Sequence, residues 1–281
     1  MQYLGARWGL DGGFEWSRNE PNYAGQWDGN AGSTPTEPWK TYRLPTLFVA
    51  PAWAVIPSTL RYNTGALTPE GEVAWEQYVK KAAQAFVAKY PDREKDIYQI
   101  TWEPIRSWGF NGTDEQLLRI YEIAYNAIHS VDPKAVVAGP TMGIHAEGAY
   151  PNHYERETQS VALFQKGLAN YLDAYTAHPY YAAAWDAGSP EAERMVDRIR
   201  YLKGILQQYG GGKSIPMYGT EQGMADDGTL AGELRVARTL IRENLITLGE
   251  GFEFNIAFYA VDYSYSLGGT IERYGFFYNL V

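Results

Sequence analysis

The feature that most constrains the fold of this chain is a regular alternation of short, β-rich segments with long amphipathic ones. Seven segments have the composition of strands: Leu4–Leu10, Leu44–Ala50, Asp96–Trp102, Ala135–Gly139, Leu172–Ala177, Ile215–Thr220 and Phe254–Val261. Helical periodicity lies between most of them. Strands that alternate with helices of this length are typical of a parallel sheet with crossover helices.

Four of the intervening segments place apolar residues three and four positions apart, as amphipathic helices do. These residues are Trp75, Val79, Ala82 and Phe86; Leu117, Ile120, Ala124 and Ile128; Ile199, Leu202 and Leu206; and Leu234, Ala237, Ile241 and Leu248. The second helix opens with a capping box at Thr113 and Gln116. The third has Ser189 at the cap and Pro190 in the first turn. By contrast, Asn19–Trp39 is polar and rich in Gly and Pro, which predicts a long loop.

These elements predict an α/β protein, a (β/α)₈ TIM barrel, although seven strands are counted rather than eight and no closing helix is evident. Either one element escapes the pattern, or the barrel is shortened or belongs to a longer protein. The length of 281 residues is close to that of one such barrel. Residues 1–281 show no low-complexity linker, no repeat and no shift in composition. We therefore expect a single barrel domain.

Charge and composition exclude several classes of function. The net charge is −9 and there is no basic run, which argues against a nucleic-acid partner. There is no Cys, so thiol catalysis and disulfides are excluded. No apolar stretch is long enough to span a membrane, so no membrane partner is expected. The segment Met1–Leu4 does not have the layout of a signal peptide, which leaves the compartment open.

Two strands end in a carboxylate. Glu103 comes just before Pro104, and Glu221 follows Ile215–Thr220. Barrel enzymes place their active site at the carboxyl ends of the strands, where burial raises a carboxyl pKa towards the range of acid catalysis. One such group can protonate a glycosidic oxygen while the other attacks the sugar or activates water. A lone strand-end Glu is more often structural, but two in the same setting favour catalysis.

The content of aromatic residues, 15%, with nine Trp and 23 Tyr, is more than a core needs. Rings exposed in a cleft commonly serve recognition, and the flat faces of sugars pack on them. Candidate platforms lie at or just past strand ends: Trp53, Trp102, Trp108, Tyr180, Tyr181, Trp185 and Tyr259. Each alone is equally well explained by packing, but the group fits a carbohydrate cleft better than a phosphate site.

Other polar residues carry weaker signals. A loop after the fifth strand of the expected barrel contains His145, Glu147, His153, Glu155 and Glu157, but it lacks metal-ligand spacing, so solvated loop residues are the favoured interpretation. Arg7 could bridge an active-site carboxylate and Arg106 could reach substrate, although a structural ion pair explains each equally well. His129 lies near the end of a helix, where capping is expected.

Six segments, in order along the chain, resemble strand-end motifs of the clan A glycoside hydrolases. They are Gly5–Trp8 with Trp16 and Glu20-Pro21, Leu47–Ala54, Ile100–Pro104, Ala177–Tyr180, Met217–Gly223, and Gly275–Phe277 after Phe258-Tyr259. The first, second and last are most similar to the family 39 branch, which contains β-xylosidases and exopolysaccharide endo-glycosidases. The resemblance covers nearly the whole chain.

The resemblance implies a role for each matching residue. Ile100–Pro104 is similar to the acid/base signature, and Met217–Gly223 is similar to the nucleophile signature. Glu103 would therefore be the general acid/base and Glu221 the nucleophile of a retaining double displacement. His178 or Tyr180 would hydrogen-bond the nucleophile and keep it ionised.

One departure from the motifs concerns the sugar rather than the reaction. Members of the clan usually carry Asn just before the acid/base, where it contacts the sugar 2-hydroxyl, and this chain has Trp102. An indole cannot accept a hydrogen bond there. The departure implies either an unusual sugar at the reacting subsite, such as a deoxy or 2-amino sugar, or a diverged enzyme.

The first hypothesis is a retaining glycosidase that cleaves internal bonds of a poly- or oligosaccharide, without a cofactor, as an extracellular or periplasmic monomer. The second is a carbohydrate-binding barrel that has lost turnover. The third, a metal-dependent hydrolase, needs a ligand cluster that the sequence does not show. Release of new reducing ends separates the first two, and sensitivity to a chelator identifies the third.

Overall fold

The computed structural model describes residues 8–27, 42–57, 65–91, 93, 96–106, 109–145, 153–180, 192–258, 263–264 and 271–272. Seven strands form one sheet: β1 (Trp8–Asp11), β2 (Tyr42–Phe48), β3 (Ile97–Thr101), β4 (Val136–His145), β5 (Ala174–Tyr180), β6 (Met217–Gln222) and β7 (Phe252–Ala257). A separate two-stranded ribbon pairs β8 (Tyr263–Ser264) with β9 (Ile271–Glu272).

The helices lie between the strands of the large sheet. They are α1 (Trp16–Asn19), α2 (Pro69–Lys89), α3 (Asp114–Val131), α4 (His153–Gln165), α5 (Met195–Tyr209) and α6 (Leu230–Gly249). Every neighbouring pair of strands is parallel, and the strands follow one another in chain order from β1 to β7. The architecture is an incomplete (β/α)₈ barrel, which confirms the predicted fold class.

An aromatic stack inside the barrel joins the two edges of the sheet. The ring of Trp8 on β1 lies 4.1 Å from that of Phe254 on β7, at an interplanar angle of 7°. Phe254 in turn stacks on Tyr218 of β6 at 4.6 Å. Residues of the other strands complete this inner core: Leu44, Ile97, Ala138 and Ala174. Because the rings are wide, seven strands form a filled and nearly closed barrel.

A second apolar layer lies between the sheet and its helices. The predicted inward residues of α2 and α3 are buried there, among them Trp75, Phe86, Leu117 and Ile128. The capping box of α3 is present, since Thr113 and Gln116 each accept a hydrogen bond from the backbone N–H of the other. These two helices therefore form as their sequence periodicity predicts.

The prediction of a loop after the fifth strand of the expected barrel is wrong in part. The strand in question, β4, continues past Gly139-Pro140 to His145 through a register shift between Pro140 and Met142. Helix α4 then starts at His153, so Glu157 is helical and forms an ion pair with Arg198 at 3.4 Å. Gly-Pro usually ends a strand, and the first turns of α4 are too polar to show a helical period.

Two further predictions fall partly outside the described residues. The loop Asn19–Trp39 begins after α1 and continues without regular structure to Trp27, where its described part ends. The cap residues Ser189 and Pro190 lie outside, and α5 is described from Met195 after a 3₁₀ turn at Ala192–Arg194. No helix among the described residues is apolar enough over sufficient length to cross a membrane.

A buried acid at the amino end of the barrel affects stability. Asp96 precedes β3 and is 8% exposed. Burial raises the pKa of Asp96 to about 6; Arg93 opposes the rise and Asp132 adds to it. The folded protein therefore binds a proton here that the unfolded chain releases near pH 4. Stability contributed by this site is lost as the pH rises from about 4 through 6.

We expect Asp96→Asn to stabilise the fold at pH 7.5 by about 1 kcal/mol, because the variant avoids ionising a buried acid. Below pH 4 the difference should vanish, because the wild-type carboxyl is protonated in both states. Urea unfolding at the two pH values measures this, with Glu70→Gln at an exposed position on α2 as the control. A variant less stable than wild type at pH 7.5 would contradict the expectation.

Candidate active site

The two predicted carboxylates lie at the same end of the barrel. Glu103 follows β3 by two residues, and Glu221 is the penultimate residue of β6. They are 7% and 8% exposed, so both are largely removed from water. Because the strands are parallel, their carboxyl ends meet at one face, which is where barrel enzymes carry out chemistry.

His178 of β5 joins the two carboxylates. Its Nδ1 lies 2.7 Å from Oε1 of Glu103 and 3.8 Å from Oε2 of Glu221. Since both distances are measured from the same nitrogen, these two oxygens are at most about 6.5 Å apart. The His178 side chain is fully buried.

Tyr180 hydrogen-bonds the second carboxylate, that of Glu221. Its hydroxyl donates a hydrogen bond of 2.6 Å to Oε1 of Glu221, and its ring packs edge-on to Phe258 at 6.5 Å. His178 and Tyr180 are two residues apart on β5, so both side chains reach the same side of the sheet. Of the two residues expected beside the nucleophile, Tyr180 bonds Glu221, whereas His178 makes its short contact with Glu103.

The backbone that presents Glu103 is strained and braced. Glu103 has φ = 36°, in the left-handed region that a non-glycine residue seldom adopts. Its carbonyl accepts a hydrogen bond of 2.7 Å from the N–H of Ile105. A Cβ atom at Gly109 would lie 1.9 Å from that carbonyl oxygen, so only glycine fits there. Strain of this kind, held by tight packing, is typical of functional sites.

Gln159 of α4 also braces this loop, and sequence reasoning missed it. Its Nε2 donates to the carbonyl of Pro104 at 2.8 Å, and its Oε1 accepts from the N–H of Arg106 at 3.2 Å. The side chain is 2% exposed. A buried Gln in a polar helix leaves no mark on hydrophobic periodicity, so no sequence signal would have found it.

Threonines tie together the strands below the site. The Oγ1 of Thr141 donates to the carbonyl of Thr101 at 2.7 Å and lies 2.8 Å from Oγ1 of Thr176. Thr101 Oγ1 in turn lies 2.6 Å from the hydroxyl of Tyr121 on α3. These bonds connect β3, β4 and β5, so the strand that precedes Glu103 and the strand that carries His178 keep a fixed separation.

Besides Tyr180, two of the aromatic residues predicted to bind sugar lie among the described residues. Trp102 is half-buried, and its ring lies 4.9 Å from that of His178 at an angle of 70°. The indole is therefore beside the carboxylate pair. Trp53, in the turn after β2, donates from Nε1 to the carbonyl of Glu20 at 2.8 Å and packs edge-on to Trp16 at 5.5 Å. Its orientation is thereby fixed.

Several other predicted site residues lie outside the described residues: Arg7, Trp108, Tyr181, Trp185 and Tyr259. Arg106 is exposed and forms an ion pair with Asp114, which fits the structural interpretation of this residue. His129 hydrogen-bonds Asp173 at 3.0 Å. Within the described ranges, no three His, Cys, Asp or Glu side chains are grouped so that they could hold a metal ion.

Solved structures that resemble this chain include several glycoside hydrolases. A family 39 glycoside hydrolase from Bacteroides cellulosilyticus WH2 has a TM-score of 0.69 and 15% identity, over 97% of this chain and 54% of its own. The family 39 enzyme from Xanthomonas axonopodis pv. citri has a TM-score of 0.62 and 16% identity, over 92% and 54%. The β-glucosidase 1317 has a TM-score of 0.64 and 15% identity, over 96% and 77%.

No protein-family model and no curated protein matches the sequence. The chain spans about half the length of the two family 39 structures. At identities this low the likeness concerns the fold alone. The chain has the barrel fold of glycoside hydrolases, including those of family 39, the branch that its strand-end motifs resemble.

Proposed function

We propose that this barrel is a retaining glycosidase that cleaves a poly- or oligosaccharide, with Glu103 as the general acid/base and Glu221 as the nucleophile. The observation that carries the proposal is the pair of buried carboxylates gathered around His178. One oxygen of each carboxylate lies within about 6.5 Å of the other, a bound that includes the 5–5.5 Å separation typical of retaining sites. The glycosidase fold of the chain supports the same reaction class.

Each carboxylate has the surroundings that its role requires. In the first step, Glu103 gives its proton to the leaving oxygen while Glu221 attacks the anomeric carbon and forms a glycosyl ester. The Tyr180 hydroxyl donates to Glu221, which favours the ionised form of the nucleophile. In the second step, Glu103 takes a proton from water, and the attack of that water releases the sugar with its configuration retained.

His178 suits the alternation of Glu103 between acid and base. Its Nδ1 can accept a hydrogen bond from the protonated carboxyl or, in the other tautomer, donate one to the carboxylate. The same contact therefore persists in both states of Glu103. Trp102, packed against His178, would shield this pair from water and form one apolar wall of the reacting subsite.

We expect Glu221→Gln to lose at least about 10³-fold in kcat on every substrate, because no nucleophile remains. Glu103→Gln should lose activity on polysaccharides but keep much of its first step on dinitrophenyl glycosides, whose leaving group needs no proton. The measurements are reducing-end release from a polysaccharide panel and release of dinitrophenolate. Glu70→Gln, at an exposed position on α2, is the control.

Three results would count against these assignments. Activity that survives Glu221→Gln would mean that another carboxylate is the nucleophile. Equal losses on both kinds of substrate in Glu103→Gln would remove its role as the acid. Saccharide binding by the wild type, with no release from the panel, would favour the carbohydrate-binding barrel.

The stereochemistry of the product tests the double displacement. We expect the first anomer seen by proton NMR to have the configuration of the substrate, because two inversions give net retention. The spectrum must be recorded within minutes, before mutarotation mixes the anomers. An inverted first product would show a single displacement and would remove Glu221 from the role of nucleophile.

We expect Tyr180→Phe to lower kcat about tenfold to a hundredfold with a smaller change in KM, because the hydroxyl orients and stabilises the Glu221 carboxylate. The ring and its packing against Phe258 are retained in this variant, so the fold should persist. Steady-state kinetics on an aryl glycoside measure the effect. A rise in KM alone would mean that Tyr180 only binds substrate.

A further inference from the structure

Gln159 of α4 satisfies two backbone groups of the loop after Glu103 with a single amide. Its Nε2 donates to the carbonyl of Pro104, and its Oε1 accepts from the N–H of Arg106. An amide carries both a donor and an acceptor in one plane, so it pairs with this loop as the backbone of a neighbouring strand would. The side chain is buried, and a buried backbone group that loses its partner is costly. The shape of the loop therefore depends on Gln159.

The backbone conformation of Glu103 needs support from its neighbours. Its φ of 36° lies in the left-handed region, where the Cβ atom of a non-glycine residue is crowded. The hydrogen bond from Gln159 to Pro104, the next residue, restrains the backbone just after Glu103. Without that restraint, a change in φ would turn the Glu103 side chain and move its carboxyl group relative to His178.

The next residue of α4 contacts the strand that carries His178. The Oγ of Ser160 lies 3.2 Å from the hydroxyl of Tyr175 on β5, and both side chains are buried. One turn further along α4, the ring of Phe164 lies 6.0 Å from that of Tyr175. Tyr175 is three residues before His178 on the same strand. Helix α4 is therefore attached both to the strand of His178 and to the loop that presents Glu103.

We propose that Gln159 is a positioning residue for the acid/base, which keeps the Glu103 carboxyl where it can protonate the leaving oxygen. The inference rests on the proposed function, in which Glu103 is the general acid/base. Gln159 acts through the backbone alone, because both ends of its amide are bonded to the loop. The attachment of α4 to β5 gives this amide a fixed base, so that Glu103 is held relative to His178.

Loss of these two hydrogen bonds should affect only the steps in which Glu103 transfers a proton. The oxygen of a phenyl glycoside must be protonated as the bond breaks, whereas dinitrophenolate leaves without a proton. Because kcat/KM reports the first step, it should fall for the phenyl glycoside and persist for the dinitrophenyl glycoside of the same sugar. A smaller fraction of folded protein would instead lower both values in proportion.

The variant Gln159→Met tests the proposal, because it keeps the length of the side chain and removes both hydrogen bonds. We expect kcat/KM on the phenyl glycoside to fall about tenfold to a hundredfold, as for a displaced catalytic group. On the dinitrophenyl glycoside it should stay within about twofold of the wild-type value. Gln159→Glu keeps the acceptor for Arg106 and loses the donor to Pro104, so it should show the same selective fall if Met at this position prevents folding.

The matched control is Gln165→Met, the same change at an exposed position of the same helix. It removes a hydrogen bond to the hydroxyl of Tyr209, away from the Glu103 loop, and should leave kcat/KM on both glycosides unchanged. The double variant Glu103→Gln, Gln159→Met shows whether Gln159 acts through Glu103. On the phenyl glycoside, its kcat/KM should equal that of Glu103→Gln alone within about twofold.

Three results would overturn the inference and leave the proposed function intact. The Gln159 variants could keep kcat/KM on both glycosides, or lose it equally on both, which would mean that Gln159 supports only the fold. A further loss in the double variant would mean that Gln159 acts independently of Glu103. A wild type that hydrolyses neither glycoside of any sugar in the panel would overturn the proposed function, and the inference with it.

Discussion

The stack of Trp8, Phe254 and Tyr218 is the interaction on which the rest of the structure depends. It fills the interior of the barrel and brings β1 against β7, so that seven strands close almost completely. Tyr218 lies three residues before Glu221 on the same strand. The packing that closes the barrel therefore also sets the position and orientation of Glu221 at the barrel mouth.

At the mouth of the barrel, polar contacts fix the backbone that presents Glu103. Glu103 has an unfavourable backbone conformation, which generally costs about 1–3 kcal/mol and persists only where neighbours over-determine it. Here those neighbours are Gly109, Gln159 and the Thr101–Thr141 bond. They come from three different parts of the chain. The position of the carboxylate is consequently a property of the assembled barrel and not of its own loop.

Sequence reasoning worked where a local pattern reports a local structure. The helices α2 and α3, the capping box at Thr113 and the strands that end near Glu103 and Glu221 follow from periodicity and turn residues. It failed at α4, whose polar first turns resemble a loop, and at β4, where a register shift lets the strand pass Gly139-Pro140. In α6 the periodicity was right, yet it did not reveal that Leu234, Ile241 and Leu248 are exposed.

The sequence by itself determined the alternation of strands and helices, the α/β class of fold and the two strand-end glutamates, because each depends on residues close together in the chain. Only the tertiary structure decided that His178 contacts Glu103, that Tyr180 bonds Glu221 and that Gln159 braces the loop after Glu103. Those contacts join residues 41 to 75 positions apart. Their geometry depends on strand register and barrel closure, and no local pattern in a single sequence encodes either one.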